Sequence, residues 1–197
     1  MTDPRPAATS HTLLPAIAHR WSPRAYAETA VTEEALLAVL EAGRWASSCF
    51  NDQPWVFVVA RHGTPEHAAM LATLLPFNQL WAAAAPVLLY SVARENFAHN
   101  GEPNKHAWHD VGAATATMAI EASARGMQMH GMAGFDAAAA RATLAIPQTH
   151  APVTAFTLGF PGPAGMLPEK LAEREAAPRT RRAAETMLFR GRWDAAL

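Results

Sequence analysis

The sequence predicts one α/β or α+β domain in which helices cover a mixed β-sheet. Its length of 197 residues suits a single domain that buries a sizeable core. Short apolar runs typical of buried strands alternate with segments of helical periodicity, so helices separate successive strands. No repeat, low-complexity linker or shift in composition marks an internal boundary. We therefore interpret residues 1–197 as one domain.

The first half of the chain contains three predicted helices and two predicted strands. Thr32 is an expected N-cap because two acidic residues follow it in the first turn. The helix that it starts ends at Ser47, and Pro65 stands at a tolerated first-turn position of the next helix. The predicted helices cover residues 13–18, 33–46 and 65–75, and the predicted strands cover residues 55–59 and 87–92.

The second half continues the alternation after a polar loop at residues 97–105. A long Ala- and Met-rich helix is predicted to stop at Gly126, which suits the C′ position. Asp136 is an expected N-cap, and Pro152 opens the last predicted strand. The predicted helices cover residues 106–125, 136–146 and 168–175, the predicted strands cover residues 127–132 and 153–160, and residues 178–197 form a tail rich in arginine.

Composition excludes several functional classes. The formal net charge is −1, which gives no general attraction to nucleic acid or to an anionic membrane. The single cysteine, Cys49, cannot form an internal disulfide or a thiolate zinc site. Residues 1–12 lack the apolar core of a signal peptide, and Pro86 interrupts a run too short to cross a bilayer. We expect a soluble, cytoplasmic protein. Because only 17% of the residues are charged, we also expect homodimerisation.

Two kinds of catalytic chemistry have candidate residues in the sequence, and neither is predicted. His106 and His109 lie three residues apart beside Asp110, but no third ligand follows, and an exposed helix start explains them equally well. Cys49 is better interpreted as a small buried side chain than as a reactive thiol. The chain has no GxSxG, GxGxxG or P-loop motif. We therefore predict no metal and no protein nucleophile.

Two arginine segments favour binding of a phosphate group. Arg20 and Arg24 flank Ser22 in a stretch that contains proline, and Arg179 and Arg181 alternate after another proline. Guanidinium groups can hold phosphate through two parallel hydrogen bonds, and a serine hydroxyl adds a neutral donor. A solvated run of charges remains the alternative for each segment.

Four motifs in the right order resemble the FMN-dependent nitroreductase family. Residues 20–24 resemble its N-terminal Arg-x-Ser-x-Arg/Lys segment, and residues 47–57 resemble its Pro-Ser-x-x-Asn-x-Gln-Pro-Trp-x-Phe signature. Residues 131–136 are similar to its Gly-Phe-Asp turn, and Arg181 precedes Trp193 by twelve residues as in its C-terminal motif. The resemblance implies an α+β, three-layer fold: a mixed, mostly antiparallel central sheet wrapped by helices, in an intimate homodimer with exchanged ends.

The resemblance also implies a set of FMN-binding residues. Arg20, Ser22 and Arg24 would hold the phosphate, ribityl and pyrimidine groups, Trp21 would contribute its backbone, and Arg179 and Arg181 would reach the phosphate. The implied residues from the partner subunit are Ser47, Ser48 and Cys49, and Asn51 is a further implied cofactor contact. The implied contacts to the ring system are Asn78, Ala133 and Gly134. No protein residue is implied as catalytic, because flavin N5 carries the chemistry.

The same resemblance places the loop over residues 97–108 at the exposed flavin face. Its candidate substrate contacts are Phe97, His99, Asn104 and Trp108, with a plain solvent-exposed loop as the alternative. The chain departs from the family pattern at five positions, which are Trp21, Ser47, Cys49, Trp81 and Ala133. Trp81 stands where some members have a cation near the flavin, so an unusual acceptor preference is expected.

The implied activity is ping-pong transfer of electrons from NAD(P)H through FMN to a nitroaromatic, a quinone or a similar small acceptor. Two alternatives remain at this point. One is a flavin-binding or interaction protein without turnover. The other is a flavin-consuming relative, although the N-terminal segment lacks the Asp typical of that subgroup.

Overall fold

A four-stranded antiparallel sheet forms the centre of the molecule, of which this computed structural model describes residues 6–197. The strands are β1 (Trp55–Arg61), β2 (Val87–Arg94), β3 (Gln128–Met132) and β4 (His150–Gly159). Their spatial order is β1-β2-β4-β3, and each neighbouring pair is antiparallel. The sequence predicts a mixed sheet, but none of the three pairings of these described strands is parallel. A helix between two strands returns the chain in either direction, so the alternation alone does not fix the pairing.

Seven α-helices of the described residues surround the sheet. They are α1 (Pro15–His19), α2 (Glu33–Arg44), α3 (Pro65–Ala72), α4 (Pro76–Ala82), α5 (Ala107–Ala124), α6 (Ala137–Thr143) and α7 (Glu169–Ala176). The α+β class is confirmed. The sequence does not predict helix α4, because it begins at Pro76 only four residues after α3 ends at Ala72, and that proline resembles a simple break. In the N-terminal turn proline lacks only a donor that would stay unpaired anyway.

The core lies on both faces of the sheet, which gives three layers. On one face Val39 of α2 and Met118 of α5 pack against Leu89 of β2. On the other face Met70 of α3 and Trp81 of α4 pack against Tyr90 of β2. Because Leu89 and Tyr90 are neighbours on one strand, they point to opposite faces and serve both cores.

The helices that cover the first face approach each other closely. A Cβ on Gly43 of α2 would lie 2.7 Å from Cγ of Met118 on α5, so a side chain there would displace the buried Met118. This contact fixes α5 against the sheet and, with it, the outer face of α5 that borders the candidate site.

No helix of the described residues is long and apolar enough to cross a membrane.

Candidate cofactor-binding site

A cleft of about 250 Å³ brings the two arginine segments together across the fold. We call it the arginine cleft. It is lined by Arg20, Trp21, Ser22, Arg24, Arg174, Glu175, Ala177, Pro178, Arg179 and Arg181. The segment after α1 supplies one wall, and α7 with the residues after it supplies the other. The two segments therefore do not form separate solvated charge runs, although they lie near opposite ends of the chain.

Burial and neighbouring positive charges lower the pKa of two guanidinium groups in the arginine cleft. Burial lowers the pKa of Arg20, and the charge of Arg181 lowers it further. Burial also lowers the pKa of Arg179, with further contributions from Arg20 and Arg181. The one carboxylate among the lining residues, Glu175, faces Arg24. Because five arginines and one carboxylate line the cleft, it favours an anion with several acceptor oxygens.

Two buried or half-buried polar side chains of β3 fix the backbone of the first wall. Gln128 accepts a hydrogen bond from Trp21 N (3.0 Å) and donates one to the carbonyl of His19 (3.2 Å). His130 lies with Nδ1 2.8 Å from the carbonyl of Pro23. Residues 20–23 are irregular and cannot pair their polar groups within a helix or sheet, so these side chains do so instead.

Sequence reasoning missed these positioning residues, although a signal for both of them exists. Gln128 and His130 alternate on β3, which puts both side chains on one face of a strand that carries methionine on the other. A buried polar pair of this kind indicates a segment that needs hydrogen-bond partners. Glu175, from α7, also binds this wall but gave no such signal because its helix is rich in charge.

Trp81 lies beneath the arginine cleft as part of the core. Its side chain is buried, and its ring stacks on His130 with centroids 4.5 Å apart and planes inclined by 31°. The guanidinium carbon of Arg24 lies 6.0 Å from the Trp81 ring. Burial is the main reason that the pKa of His130 falls to about 4, and the nearby Arg24 lowers it further. Of the two groups that contact the Trp81 ring, Arg24 is therefore the cation, and the His130 ring is neutral at pH 7.

An apolar cleft of about 380 Å³ continues from the arginine cleft and shares Arg20 and Ser22 with it. Its other lining residues are Ile17, Gly112, Thr115, Ala116, Ala119, Ile120, Met129, Gly131 and Phe156. Gly131 lets the Phe156 ring lie close, since a Cβ there would meet that ring at 2.9 Å. A cationic cleft joined to an apolar one suits a planar ring system that carries a phosphate group.

Asn78 and Gly134, two of the predicted ring contacts, lie together, but neither they nor Ala133 line either of the two clefts. Asn78 Nδ2 donates to the carbonyl of Gly134 (2.9 Å), which also accepts from Leu75 N (2.9 Å). A Cβ on Gly134 would lie 2.7 Å from Asn78 Nδ2. Ala133 precedes Gly134 and is exposed. Asn78 is one turn before Trp81 on α4, so the same helix links this pair to the floor of the arginine cleft.

Residues 47–53, which are the first part of the signature segment, lie outside both clefts. Cys49 N donates to Asp110 of α5 (3.0 Å), and the Ser48 hydroxyl accepts from Gln53 N (3.0 Å). Asn51 is exposed and has a φ of 55°. None of the predicted residues Ser47, Ser48, Cys49 and Asn51 lines either cleft of the described chain. Within one subunit, this part of the predicted site is therefore separate from the arginine cleft and the apolar cleft.

The predicted substrate loop contributes an aromatic cluster of Phe50, Phe97 and His99. The Phe50 and Phe97 ring centroids are 5.9 Å apart, and the Phe97 and His99 centroids are 5.3 Å apart. Phe50 is 82% exposed, and sequence reasoning missed it as a site residue. Trp108 lies farther along, on the exposed face of α5.

Asn104 differs from the other predicted substrate contacts because its side chain is buried. It accepts from His106 N (3.0 Å) and lies 3.3 Å from Asp52, so its polar atoms are used inside the protein. Burial raises the pKa of Asp52, but hydrogen bonds from Ala98 and Arg94 outweigh it and hold the pKa below its usual value. Asn104 and Asp52 therefore stabilise the loop, and a substrate contact from Asn104 is not supported.

The histidines near the start of α5 form no metal site. His109 Nδ1 lies 3.1 Å from Asp110 Oδ1, but no group of three possible ligands is present among the described residues.

Comparison with known proteins identifies the family of this chain. The model of the Nitroreductase family matches residues 17–74 and 64–160. The chain belongs to the nitroreductase family. A relative from Mycolicibacterium smegmatis, an uncharacterized 15.4 kDa protein, is 35% identical over 144 residues, which are 70% of this chain and 96% of that protein.

Solved structures extend the likeness to the whole molecule. An oxidoreductase containing FMN superimposes with a TM-score of 0.92 and 32% identity, over 99% of this chain and 100% of that one. A putative nitroreductase in complex with FMN, from Desulfovibrio desulfuricans, gives a TM-score of 0.73 and 25% identity, over 92% and 98% of the two chains. The nitroreductase-like fold predicted from the motifs is confirmed.

Proposed function

We propose that this nitroreductase-family protein is an FMN-dependent oxidoreductase that takes electrons from NAD(P)H and passes them to a small planar acceptor. The observation that carries the proposal is the arginine cleft joined to the apolar cleft, since together they match a phosphate group and an attached ring system. Two related solved proteins contain FMN, which supports the same cofactor here.

The residues of the arginine cleft fit the phosphate end of FMN. Arg20, Arg179 and Arg181 would hold the phosphate oxygens, and Ser22 would add a neutral donor. Burial lowers the pKa of Arg20 and Arg179, and a bound dianion would relieve the repulsion between neighbouring guanidinium groups that lowers it further. Binding energy at this end would anchor the ring without any contact to its reacting atoms.

The ring end would be oriented by Asn78, Gly134 and Arg24. The Asn78 amide donates to Gly134, which leaves its oxygen able to accept from a ring N–H. Arg24 would face the pyrimidine edge, and the backbone at Ala133 and Gly134 would lie near the reactive edge. FMN supplies the electron-accepting chemistry when bound, and the protein supplies position and electrostatics.

A homodimer would complete the site. We propose that Ser47, Ser48, Cys49 and Asn51 of one subunit reach the flavin of the other, because they lie outside both clefts of their own chain. Exposed apolar residues on α1, on α5 and in the tail support a large interface: Leu14, Ile17, Trp108, Ile120, Met187, Leu188 and Trp193.

Titration with FMN tests the proposal directly. Apo-protein should quench FMN fluorescence with one FMN per subunit, and the loaded protein should oxidise NADH or NADPH when menadione or a nitroaromatic is present. A loaded protein that cannot turn over with any donor and acceptor would instead be a flavin-binding protein. Absence of FMN binding at micromolar protein would contradict the proposal.

A further inference from the structure

We propose that Glu175 is a positioning residue that limits the electrostatic effect of Arg24 and so lowers the reduction potential of the bound flavin. The inference rests on the proposed function, because it assumes that Arg24 faces the pyrimidine end of FMN. It goes further by assigning a role to a buried carboxylate that does not itself contact the cofactor.

The carboxylate of Glu175 is held in a fixed position. The side chain is buried, and its Oε1 accepts hydrogen bonds from Arg24 N (2.7 Å) and Ala25 N (3.2 Å). Its Oε2 lies 3.6 Å from Nη1 of Arg24 and has no hydrogen-bond partner among the described residues. Glu175 therefore orders both the backbone and the side chain of Arg24.

Arg24 retains donors for a ligand despite this ion pair. Its side chain is 24% exposed and lines the arginine cleft. The Trp81 ring lies beneath the guanidinium and restricts movement away from the cleft. With Trp81 beneath it and Glu175 on one side, the guanidinium of Arg24 presents its remaining N–H groups to the cleft.

The charges of Arg24 and Glu175 decide whether the pair raises or lowers the reduction potential of the flavin. Reduction adds negative charge to the pyrimidine end of the flavin, and a fixed cation stabilises that charge strongly in a poorly solvated site. Glu175 opposes Arg24 because its negative charge lies beside the same guanidinium. Trp81 supplies no second cation, so the balance within the Arg24–Glu175 pair has a direct effect on the potential.

The test is the midpoint potential of the FMN-loaded Glu175→Gln variant. The amide oxygen of the new side chain still accepts from the two backbone N–H groups, so the positive charge of Arg24 stays in place without its counter-charge. We expect reduced FMN to be bound about tenfold more tightly relative to oxidised FMN than in the wild type, which for a two-electron couple raises the potential by about 30 mV. Glu173→Gln, on the exposed side of α7, is the matched control and should leave the potential unchanged.

A double-mutant cycle with Arg24→Gln distinguishes a local from a general effect. Arg24→Gln alone should lower the potential, and in that background Glu175→Gln should shift it much less. The inference would be overturned if Glu175→Gln shifted the potential equally with and without Arg24, or if Glu173→Gln shifted it as much as Glu175→Gln does. An unchanged potential in a folded Glu175→Gln protein would also overturn it. If Glu175→Gln does not fold, an unchanged potential in Arg24→Gln overturns it. Failure of the wild type to bind FMN would contradict the proposed function instead.

Discussion

At the scale of single residues, the candidate site depends on polar side chains that do not line the apolar cleft. Gln128, His130 and Glu175 each bind the backbone of residues 19–25 and thereby hold the first wall of the arginine cleft. An irregular segment without such partners would bury unpaired polar groups, which costs about 1–3 kcal/mol for each group. The site is therefore stabilised from beneath by residues of β3 and α7.

Replacing an arginine of the cleft should weaken cofactor binding. Arg181→Ala removes a charged donor from the cleft, and a hydrogen bond to a charged group contributes about 1.5–3 kcal/mol. We expect the FMN dissociation constant to rise by roughly ten- to a hundredfold in a fluorescence titration. Arg182→Ala, which removes the exposed neighbour, is the control, and Cys49→Ala should have a smaller effect than Arg181→Ala. An unchanged affinity in Arg181→Ala would remove Arg181 from the site.

The lowered pKa of His130 predicts a pH dependence of stability. In the unfolded chain a histidine titrates near pH 6.5, whereas burial and Arg24 lower the pKa of His130 to about 4 in the folded protein. The unfolded state therefore binds more protons between these values, and the free energy of unfolding falls as the pH falls through this window. The full effect amounts to roughly 3 kcal/mol, at about 1.4 kcal/mol for each pKa unit.

Urea unfolding of apo-protein at about pH 7, 5.5 and 4.5 measures this dependence. His130→Gln should show a smaller loss than the wild type, with a remainder from His67, whose pKa burial also lowers. His106→Gln, at an exposed position, should keep the wild-type dependence. A His130→Gln protein that loses as much stability as the wild type would show that another group titrates.

At the scale of elements, α5 serves three functions with three parts of its surface. Val111, Ala114 and Met118 face the core, while Asp110 near its N-terminus holds the segment of residues 47–53. Residues 108, 112, 116 and 120 follow at intervals of four and form an exposed stripe, part of which lines the apolar cleft. One helix thus connects the core, the signature segment and the candidate site.

A side chain at Gly134, in the turn between β3 and α6, should displace the side chain of Asn78. In Gly134→Ala the new Cβ would displace the Asn78 amide, because the two atoms would be only 2.7 Å apart. Loss of the Asn78 hydrogen bond, about 0.5–1.5 kcal/mol, should weaken FMN binding by up to about tenfold. Gly165→Ala is the matched control, since a Cβ there meets nothing within 4 Å. Wild-type FMN affinity in Gly134→Ala would contradict a role for this turn.

The aromatic cluster should affect the acceptor rather than the cofactor. Phe97→Ala removes one ring of a partly exposed cluster on which a planar acceptor could stack. We expect a changed Michaelis constant and a changed ranking of acceptors in steady-state assays, with an unchanged flavin spectrum. Asn104→Ala should instead lower the thermal midpoint, because its side chain is buried and hydrogen-bonded. Wild-type kinetics of Phe97→Ala with every acceptor would remove the loop from the substrate pocket.

At the scale of the whole molecule, much apolar surface lies outside the core. The N-terminal helix, α5 and the C-terminal tail all expose large apolar side chains, and the signature segment lies apart from the clefts of its own chain. A second copy of the chain would cover this surface and add the missing segment to the site, so dimerisation and cofactor binding should be coupled.

A charge on the outer stripe of α5 should separate the subunits. Ile120→Asp places a carboxylate on the proposed interface, and light scattering after gel filtration of the apo-protein should detect monomers. The oligomeric state of the apo-protein is the readout, because Ile120 also lines the apolar cleft and its replacement changes FMN binding directly. Ala138→Asp, in the exposed first turn of α6, adds the same charge where a helix N-terminus tolerates it. A dimeric Ile120→Asp apo-protein would place the interface elsewhere.

The sequence by itself indicated most of the helices and strands and predicted a phosphate-binding site. Local signals such as the Thr32 cap, the apolar periodicity and the proline positions indicate most helices and strands, because capping and amphipathicity act over a few residues. The motifs of residues 20–24 and 131–136 indicate the family for the same reason, since each is a short local pattern. Arginine with serine likewise indicates a phosphate site before any fold is known.

Only the tertiary structure decided which of these patterns meet. It joined Arg20 to Arg181, buried Asn104 in the loop, made the pairings of the described strands antiparallel and placed Glu175 against Arg24. These outcomes depend on contacts between residues far apart in the chain, whose energies no local window contains. Burial then sets the charge and the hydrogen bonding of each side chain, and burial is a property of the folded molecule as a whole.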